Sequence, residues 1–244
     1  MANRESVRLD RFLADAGAGS RSDVKKYIRQ GLVKVNGTPV RQPDLKVGPQ
    51  DNVELNSLTV GKAPEHVYYL LNKPAGYLSA TRDRQDPTVL DLLPKEDRRE
   101  LFPVGRLDKD TEGLLLITDD GPLAHALTSP ARHVPKTYYA VVKGLMTSED
   151  IQRFESGLDI GEKSPSLPAV LRILHSDPEN GKCEVHITVC EGKFHQVKRM
   201  VQAVGKEVVY LKRISMGTLK LPEDLPVGQW ICIPPETFLP FSGS

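Results

Sequence analysis

Residues 104–121 read Val-Gly-Arg-Leu-Asp-Lys-Asp-Thr-Glu-Gly-Leu-Leu-Leu-Ile-Thr-Asp-Asp-Gly and set Asp108 at the mouth of an apolar run, with Arg106 just before it. A neighbouring cation favours the ionised form of a carboxylate, and an ionised carboxylate can act as a base or a nucleophile. The same residue types also make structural ion pairs, which outnumber active sites, so the rest of the chain has to decide. Further stretches carry reactive side chains: Lys136-Thr137-Tyr138, and Gly192-Lys-Phe-His-Gln-Val-Lys-Arg-Met with His195, Lys198 and Arg199. There is no Walker lysine loop and no GxGxxG after a strand, so no nucleotide cofactor is expected. His125, His133, His186 and His195 lack ligand spacing with the cysteines, and no metal is expected either. Asp119-Asp120-Gly121-Pro122 reads as turn and helix-cap chemistry rather than as the paired acids of a glycosidase.

These residues need a frame to hold them. Near the N-terminus, Leu9, Phe12, Leu13 and Ala16 recur at helical spacing and Gly17 and Gly19 stop the helix. A second helix follows, with Ser20 as N-cap, Asp23 three residues on, Val24, Tyr27 and Ile28 as its apolar face, and Gly31 as its C-terminal cap. Arg21, Lys25, Lys26 and Arg29 fall on or beside its other face. Val33-Lys34-Val35 followed by Asn36-Gly37 predicts a hairpin, and Arg41 and Lys46 extend the positive surface. Asn56 to Glu65, with Gly61 and Pro64 and little periodicity, reads as a linker. Strands are predicted over Val67–Leu71, Leu114–Ile117, Tyr138–Val142, Ala169–Leu174 and Glu184–Val189. Asn72-Lys73-Pro74-Ala75-Gly76 turns the chain after the first of them. Helices are predicted after Asp120, carrying Leu123, Ala126 and Leu127, and over Phe194–Val204, where Val197, Met200 and Val201 face the core and Gly205 ends the helix. Strands and helices do not alternate regularly. The fold class is therefore α+β, with a small N-terminal unit at 1–56, a linker at 57–66 and a larger unit at 67–244 built on a mixed, largely antiparallel sheet.

The bounds agree with that division. The chain has 244 residues, 39% hydrophobic and 27% charged, which is an ordinary globular composition with length enough for one large or two unequal domains. Its three cysteines, Cys183, Cys190 and Cys232, are an odd number without CxxC spacing, and no signal-like apolar stretch opens the sequence. A reduced cytoplasmic setting is expected. No apolar run reaches the roughly 20 residues a bilayer-spanning helix needs, so no membrane partner is expected. The formal net charge is +1, and its distribution says more than its sum, since a balanced total can hide a basic face.

Arg8-Leu9-Asp10, Ser20-Arg21 and Gly31-Leu32-Val33-Lys34-Val35-Asn36-Gly37 resemble the core of the S4-type RNA-binding domain. That resemblance implies a module holding phosphates through Arg8, Arg21, Lys25, Lys26, Arg29, Lys34 and Arg41. From Tyr68-x-Leu-Leu-Asn-Lys-Pro-Ala-Gly to about Pro222, the chain resembles the pseudouridine synthases of the group that contains small-subunit and several large-subunit rRNA enzymes. In that family the aspartate of Gly-Arg-Leu-Asp-x-x-Thr-x-Gly-Leu-Leu-Leu-x-Thr-x-Asp-Gly is the catalytic residue, which implies Asp108. The resemblance further implies Tyr138 against the target base, Lys198 as the cation paired with Asp108, and Arg106 beside them, with room to occupy the space a flipped base vacates. Lys73, His195 and Arg199 are implied as further RNA contacts. Thr118-Asp-Asp-Gly, His125-x-x-Thr-Ser-Pro and Phe194-His-Gln-Val-Lys-Arg-Met resemble the small-subunit type. This implies isomerisation of one uridine in 16S rRNA, without cofactor, by a monomer acting on a partly assembled small subunit. Three other readings stay open: a 23S rRNA enzyme of the same mechanism, a non-catalytic rRNA-binding assembly factor, and an RNA N-glycosidase with a second carboxylate near Asp108.

Overall fold

The computed structural model describes residues 6–61, 66–94, 100–235 and 237–238. The chain divides into two compact units, Met1–Glu65 and His66–Ser244. In the first, β1 (Val7–Arg8) leads into α1 (Leu9–Asp15), and α2 (Arg21–Arg29) follows. Ser20 and Asp23 form a reciprocal capping box that fixes where α2 begins. Next come β2 (Val33–Val35), β3 (Thr38–Val40), β4 (Lys46–Val47), β5 (Val53–Leu55) and β6 (Leu58–Thr59). Asn36 and Gly37 sit at φ of 51° and 79°, as a primed two-residue hairpin turn requires, and β2 pairs with β3 in the register the sequence predicts. Leu9, Leu13, Val24, Ile28, Val33, Val47 and Val53 close the core of the unit.

The first helix starts at Leu9, where the apolar spacing puts it, with Val7 and Arg8 before it paired with Val47 and Lys46 as strand. One expectation changes here. The proposed linker over 57–66 begins too early, because Asn56 and Ser57 turn the chain at positive φ and Leu58–Thr59 pairs back onto β5. Residues 62–65 of that linker lie outside the described residues.

The second unit is a nine-stranded sheet. Its strands are β7 (Tyr68–Lys73), β8 (Phe102–Pro103), β9 (Glu112–Thr118), β10 (Lys136–Lys143), β11 (Val170–Asp177), β12 (Lys182–Val189), β13 (Glu207–Met216), β14 (Leu219–Lys220) and β15 (Trp230–Cys232). The order is β11-β12-β10-β13-β9-β7-β15, with β14 on β13 and β8 on β9. All pairings are antiparallel except β9 with β13, where Glu112 and Gly113 run parallel to Lys212 and Arg213. The helices are α3 (Gly121–Thr128), α4 (Ser148–Ser156) and α5 (Gln196–Ala203). Among the described residues, no helix is long and apolar enough to cross a membrane.

Packing explains the Leu-Leu-Leu-Ile run. In β9, Leu114 and Leu116 enter a core with Tyr68, Leu70 and the α3 residues Leu123 and Leu127, while Leu115 and Ile117 enter another with Tyr69, Leu71 and Val89. A strand buried on both faces has no polar side, so the alternation of an exposed strand is absent. A third core joins Ala140, Val142, Val185 and Ile187 to Phe154 of α4 and to Val197, Met200 and Val201 of α5. The predicted strands and both predicted helices are present. The sequence reading did not predict β13, α4 or β15.

Candidate active site

Asp108 sits in the loop before β9, and that loop is held from several sides. Ser79 Oγ donates to Leu107 O at 2.9 Å and accepts from Leu107 N at 3.0 Å. Gly76 N donates to Lys109 O at 2.7 Å, and Thr111 N to Asp108 O at 3.1 Å. Lys73, expected at the surface as an RNA contact, is instead fully buried at the end of β7. Its ammonium donates to Pro74 O and Thr111 O at 2.9 and 2.8 Å, and to Asp108 O and Lys109 O at 3.2 and 3.3 Å. The physical reason is a cluster of loop carbonyls with too few backbone donors, which an ammonium with its N–H groups can satisfy. Burial pushes the Lys73 pKa down to about 8, against the pull of Asp110, Glu112 and Asp108.

The half-buried Asp108 carboxylate faces the side chains of Lys198 and His195. Lys198 Nζ lies 3.3 Å from Oδ2 and His195 Nε2 lies 3.4 Å from Oδ1. Both come from the start of α5, where His195 takes a left-handed conformation (φ 49°) as the residue before the helix, and Lys198 follows one turn on. His195 stacks on the exposed Phe194 ring at 3.8 Å. His195 was expected as an RNA contact, and it touches the Asp108 carboxylate. Lys198 bonds more closely to Asp110, at 2.7 and 2.9 Å, than to Asp108. Burial works to lower the Lys198 pKa, but the hydrogen bond it donates to Asp110 and the charge of Asp108 outweigh it and raise it. The same bond holds the Asp110 carboxyl below its ordinary range.

A cavity of about 300 Å³ opens beside Asp108 and is lined by Arg106, Tyr138 and Lys198, among others. Tyr138 lies on β10 between Ile187 and Arg213 of the neighbouring strands, its ring packed against the cores on either side of the site. Asp108, Tyr138 and Lys198 thus line one cavity, an arrangement that a purely RNA-holding protein has no need of. Arg106 is exposed at the cavity, but among the described residues it makes no ion pair with Asp108, so the cation expected there is supplied by α5. Glu191 also lines the cavity. It accepts from Leu167 N and Gln196 Nε2 at 2.9 and 2.8 Å, a structural engagement that does not suit a water-activating base.

Of the other expected RNA contacts, Arg199 is tied to Glu162 at 2.6 Å and to Phe194 O at 3.2 Å. Arg8 forks onto Asp10 at 3.1 and 2.9 Å, and Lys25 stands 3.9 Å from the same carboxylate. Arg21, Lys26, Arg29 and Arg41 are exposed, Lys34 is half-exposed, and none of them makes an ion pair among the described residues. Sequence reasoning missed Arg213 and gave no role to Lys136 or Thr111, all of which line the cavity. Lys136 and Thr111 each lie two or three residues from a singled-out side chain, a signal that strand spacing could have used. Arg213 stands in a strand that was not predicted.

A largely antiparallel sheet that sets one aspartate against cations beside a base-sized cavity, in a chain that also carries a small unit with a basic helix face, is the make-up of an enzyme acting on an anionic polymer. The chain belongs to the RNA pseudouridylate synthase family, whose model matches residues 67–203, and it carries an S4 domain matched over residues 7–53. It is 39% identical over 214 residues to the ribosomal large subunit pseudouridine synthase B of Bacillus subtilis, covering 88% of this chain and 87% of that protein. It is 37% identical over 225 residues to the ribosomal small subunit pseudouridine synthase A of Escherichia coli K12, covering 92% and 95%. A crystal structure of a pseudouridylate synthase is similar over 95% of this chain and 97% of that one, at 35% identity and a TM-score of 0.65. The protein is therefore a pseudouridine synthase, and the non-catalytic and N-glycosidase readings fall away.

Proposed function

We propose that this enzyme isomerises one uridine of 16S rRNA to pseudouridine, acting as a cytoplasmic monomer on a partly assembled small subunit. The observation that carries the chemistry is the placement of Asp108, Lys198 and Tyr138 around one cavity. The reaction breaks the C1′–N1 bond, turns the base and forms a C1′–C5 bond, while C5 loses a proton and N1 gains one. Asp108 either adds to C1′ or removes the 2′ proton, and both routes need it ionised. Lys198 keeps a positive charge beside it. A uridine in folded RNA must leave its stack to reach the cavity. Tyr138 stacks on the flipped base and serves proton movement at C5, and the exposed Arg106 fills the vacated space. The S4 domain, which we extend to about residue 61, holds phosphates through the free cations of α2 and the hairpin.

The small-subunit assignment rests on Thr118-Asp-Asp-Gly, His125-x-x-Thr-Ser-Pro and Phe194-His-Gln-Val-Lys-Arg-Met. A 23S rRNA substrate is the second reading, favoured by the 39% identity to a large-subunit enzyme. The test is chemical mapping of pseudouridine across total rRNA from cells with and without this protein. A position lost from 16S rRNA supports the first reading, one lost from 23S rRNA replaces it with the second, and no lost position refutes both. Complementation with Asp108→Asn leaves the position unmodified while RNA binding persists; restored modification would refute the role of Asp108.

A further inference from the structure

Arg213 is the largest fully buried side chain of the described residues and lies in the wall of the cavity. Its Nε donates to Leu114 O at 2.8 Å, while Nη2 is buried and meets no acceptor. A guanidinium has five N–H donors and stays charged, so a buried Nη2 without an acceptor is left unsatisfied in a place where that is costly. Such a group calls for a partner that arrives with the substrate. The fold keeps it there at a further cost. Gly113 has φ 102°, and a Cβ at that position would stand 2.3 Å from Arg213 O, so only glycine lets β9 run so close to β13 at this point.

Register shows what surrounds it. Arg213 is the cross-strand partner of Tyr138, and Lys136 lies two residues from Tyr138 on the same face of β10. Lys136 Nζ reaches only Val134 O, at 2.8 Å, and Lys136 also lines the cavity. Burial and the nearby charge of Arg213 push the Lys136 pKa down. Arg213 thus stands across from Tyr138 and Lys136 two residues along its strand, and neither cation has an ion-pair partner among the described residues. A phosphate is a poor occupant here, because the polymer backbone stays outside while Arg213 is only 2% exposed. A carbonyl oxygen on the edge of an inserted base suits the place.

We infer that Arg213 and Lys136 bind the carbonyl oxygens of the flipped uracil and stabilise the uracil anion that exists between loss of the C1′–N1 bond and formation of the C1′–C5 bond. This rests on the proposed isomerisation and names the partner of its leaving group. When C1′–N1 breaks, its electron pair stays on the base and spreads over N1, O2 and O4. The two cations then meet more negative charge than in the bound uridine, so their contribution falls on the transition state rather than on binding. The pair then forms the C1′–C5 bond as C1′ parts from Asp108 or the 2′ carbon regains its proton, the oxygens become neutral again, and C5 loses its proton while N1 gains one.

The test uses the full-length enzyme and 16S and 23S rRNA labelled with tritium at uridine C5, supplied both free and in ribosomal-protein particles, with tritium release read in single turnover. Arg213→Met is expected to slow release by about 10²- to 10³-fold, the usual effect of removing one preorganised donor to a developing anion, while the RNA dissociation constant stays within about threefold. Arg213→Lys recovers part of the rate, and Lys136→Met loses about tenfold or more. Wild-type release together with a wild-type rate in folded Arg213→Met overturns the inference and leaves the isomerase reading standing. A rate loss matched by an equal loss of RNA affinity overturns it too. If Arg213→Met does not fold, Arg213→Lys and Lys136→Met decide, and wild-type rates in both overturn it. No release by the wild-type enzyme from any of these RNAs removes the isomerase reading and the inference together.

Discussion

Replacing Lys73 with methionine separates holding the catalytic loop from holding the fold. The ammonium serves four carbonyls, two of which keep another donor: Asp108 O from Thr111 N, and Lys109 O from Gly76 N. Pro74 O and Thr111 O lose theirs. Two orphaned acceptors at about 1–3 kcal/mol each give a loss of about 2–6 kcal/mol. Against this, burial lowers the Lys73 pKa from 10.5 to about 8, which makes the buried charge cost about 3 kcal/mol that methionine does not incur. Net stability should change by between about 1 kcal/mol of gain and 3 kcal/mol of loss. The loop carrying Asp108 is less forgiving, since a displacement of about 1 Å at a reacting group can cost about 100-fold in rate. Urea unfolding and single-turnover tritium release on the same preparation should therefore show a modest stability change and a large rate loss. A folded Lys73→Met enzyme with the wild-type rate would refute the holding role.

The pH dependence gives the same idea a sign. Between the folded pKa of about 8 and the unfolded value of 10.5, the unfolded chain keeps a proton that the folded chain has lost, so stability rises with pH across this window and the cost is full below it. The stability of wild type relative to Lys73→Met should rise by about 3 kcal/mol from pH 8 to pH 10.5. Over the same range the neutral amine has fewer donors for its carbonyls, so the wild-type rate should fall. Stability and rate moving together would count against it.

Gly113→Ala adds a Cβ 2.3 Å from Arg213 O on a backbone at φ 102°; left-handed strain of about 1–2 kcal/mol and overpacking of about 1–3 kcal/mol predict a loss of about 2–5 kcal/mol in the urea midpoint analysis. A loss under about 1 kcal/mol would mean that β9 and β13 part readily. Lys26→Gln with Arg29→Gln should weaken rRNA binding at low salt and flatten the slope of log affinity against log salt by about 1.4, from two lost phosphate contacts on single-stranded RNA; an unchanged slope would take the α2 face out of the RNA site. Asp110→Asn removes the bond that does most to hold the Lys198 pKa up, so the alkaline limb of the pH–rate profile should move to lower pH, and an unmoved limb would show that Asp110 does not set the charge of Lys198.

What could be read from sequence was what local chemistry writes plainly. Ser20 with Asp23, Asn36-Gly37, and Asp120 before Pro122 act within a few residues, and each appears where the sequence puts it. α4 had a comparable signal in Thr147 and Asp150, a capping box that formed, but its mostly polar face hides the helical period around Ile151 and Phe154. β13 was missed for a different reason. An arginine occupies one of its buried positions, between Leu211 and Met216, and breaks the apolar alternation by which a strand is recognised. Lys73 misled in the same way, since a lysine after Pro-free apolar residues reads as the exposed end of a strand, while all six residues of β7 are buried.

These two misreadings share a cause that bears on the chemistry. Lys73 and Arg213 are buried cations that periodicity assigns to water, and each ends against the loop or the cavity of Asp108. Lys73 is satisfied by carbonyls of the chain itself, so its burial is complete without substrate and its effect is on the placement of Asp108. Arg213 is satisfied by the chain only at Nε, so its Nη2 lacks an acceptor until a base brings an oxygen. Local rules fail where a strand gives up stability to keep a charge in the core. Here one failure lies under the loop that carries Asp108 and the other in the wall of the cavity that Asp108 lines, so one cation fixes the aspartate and the other waits for its substrate.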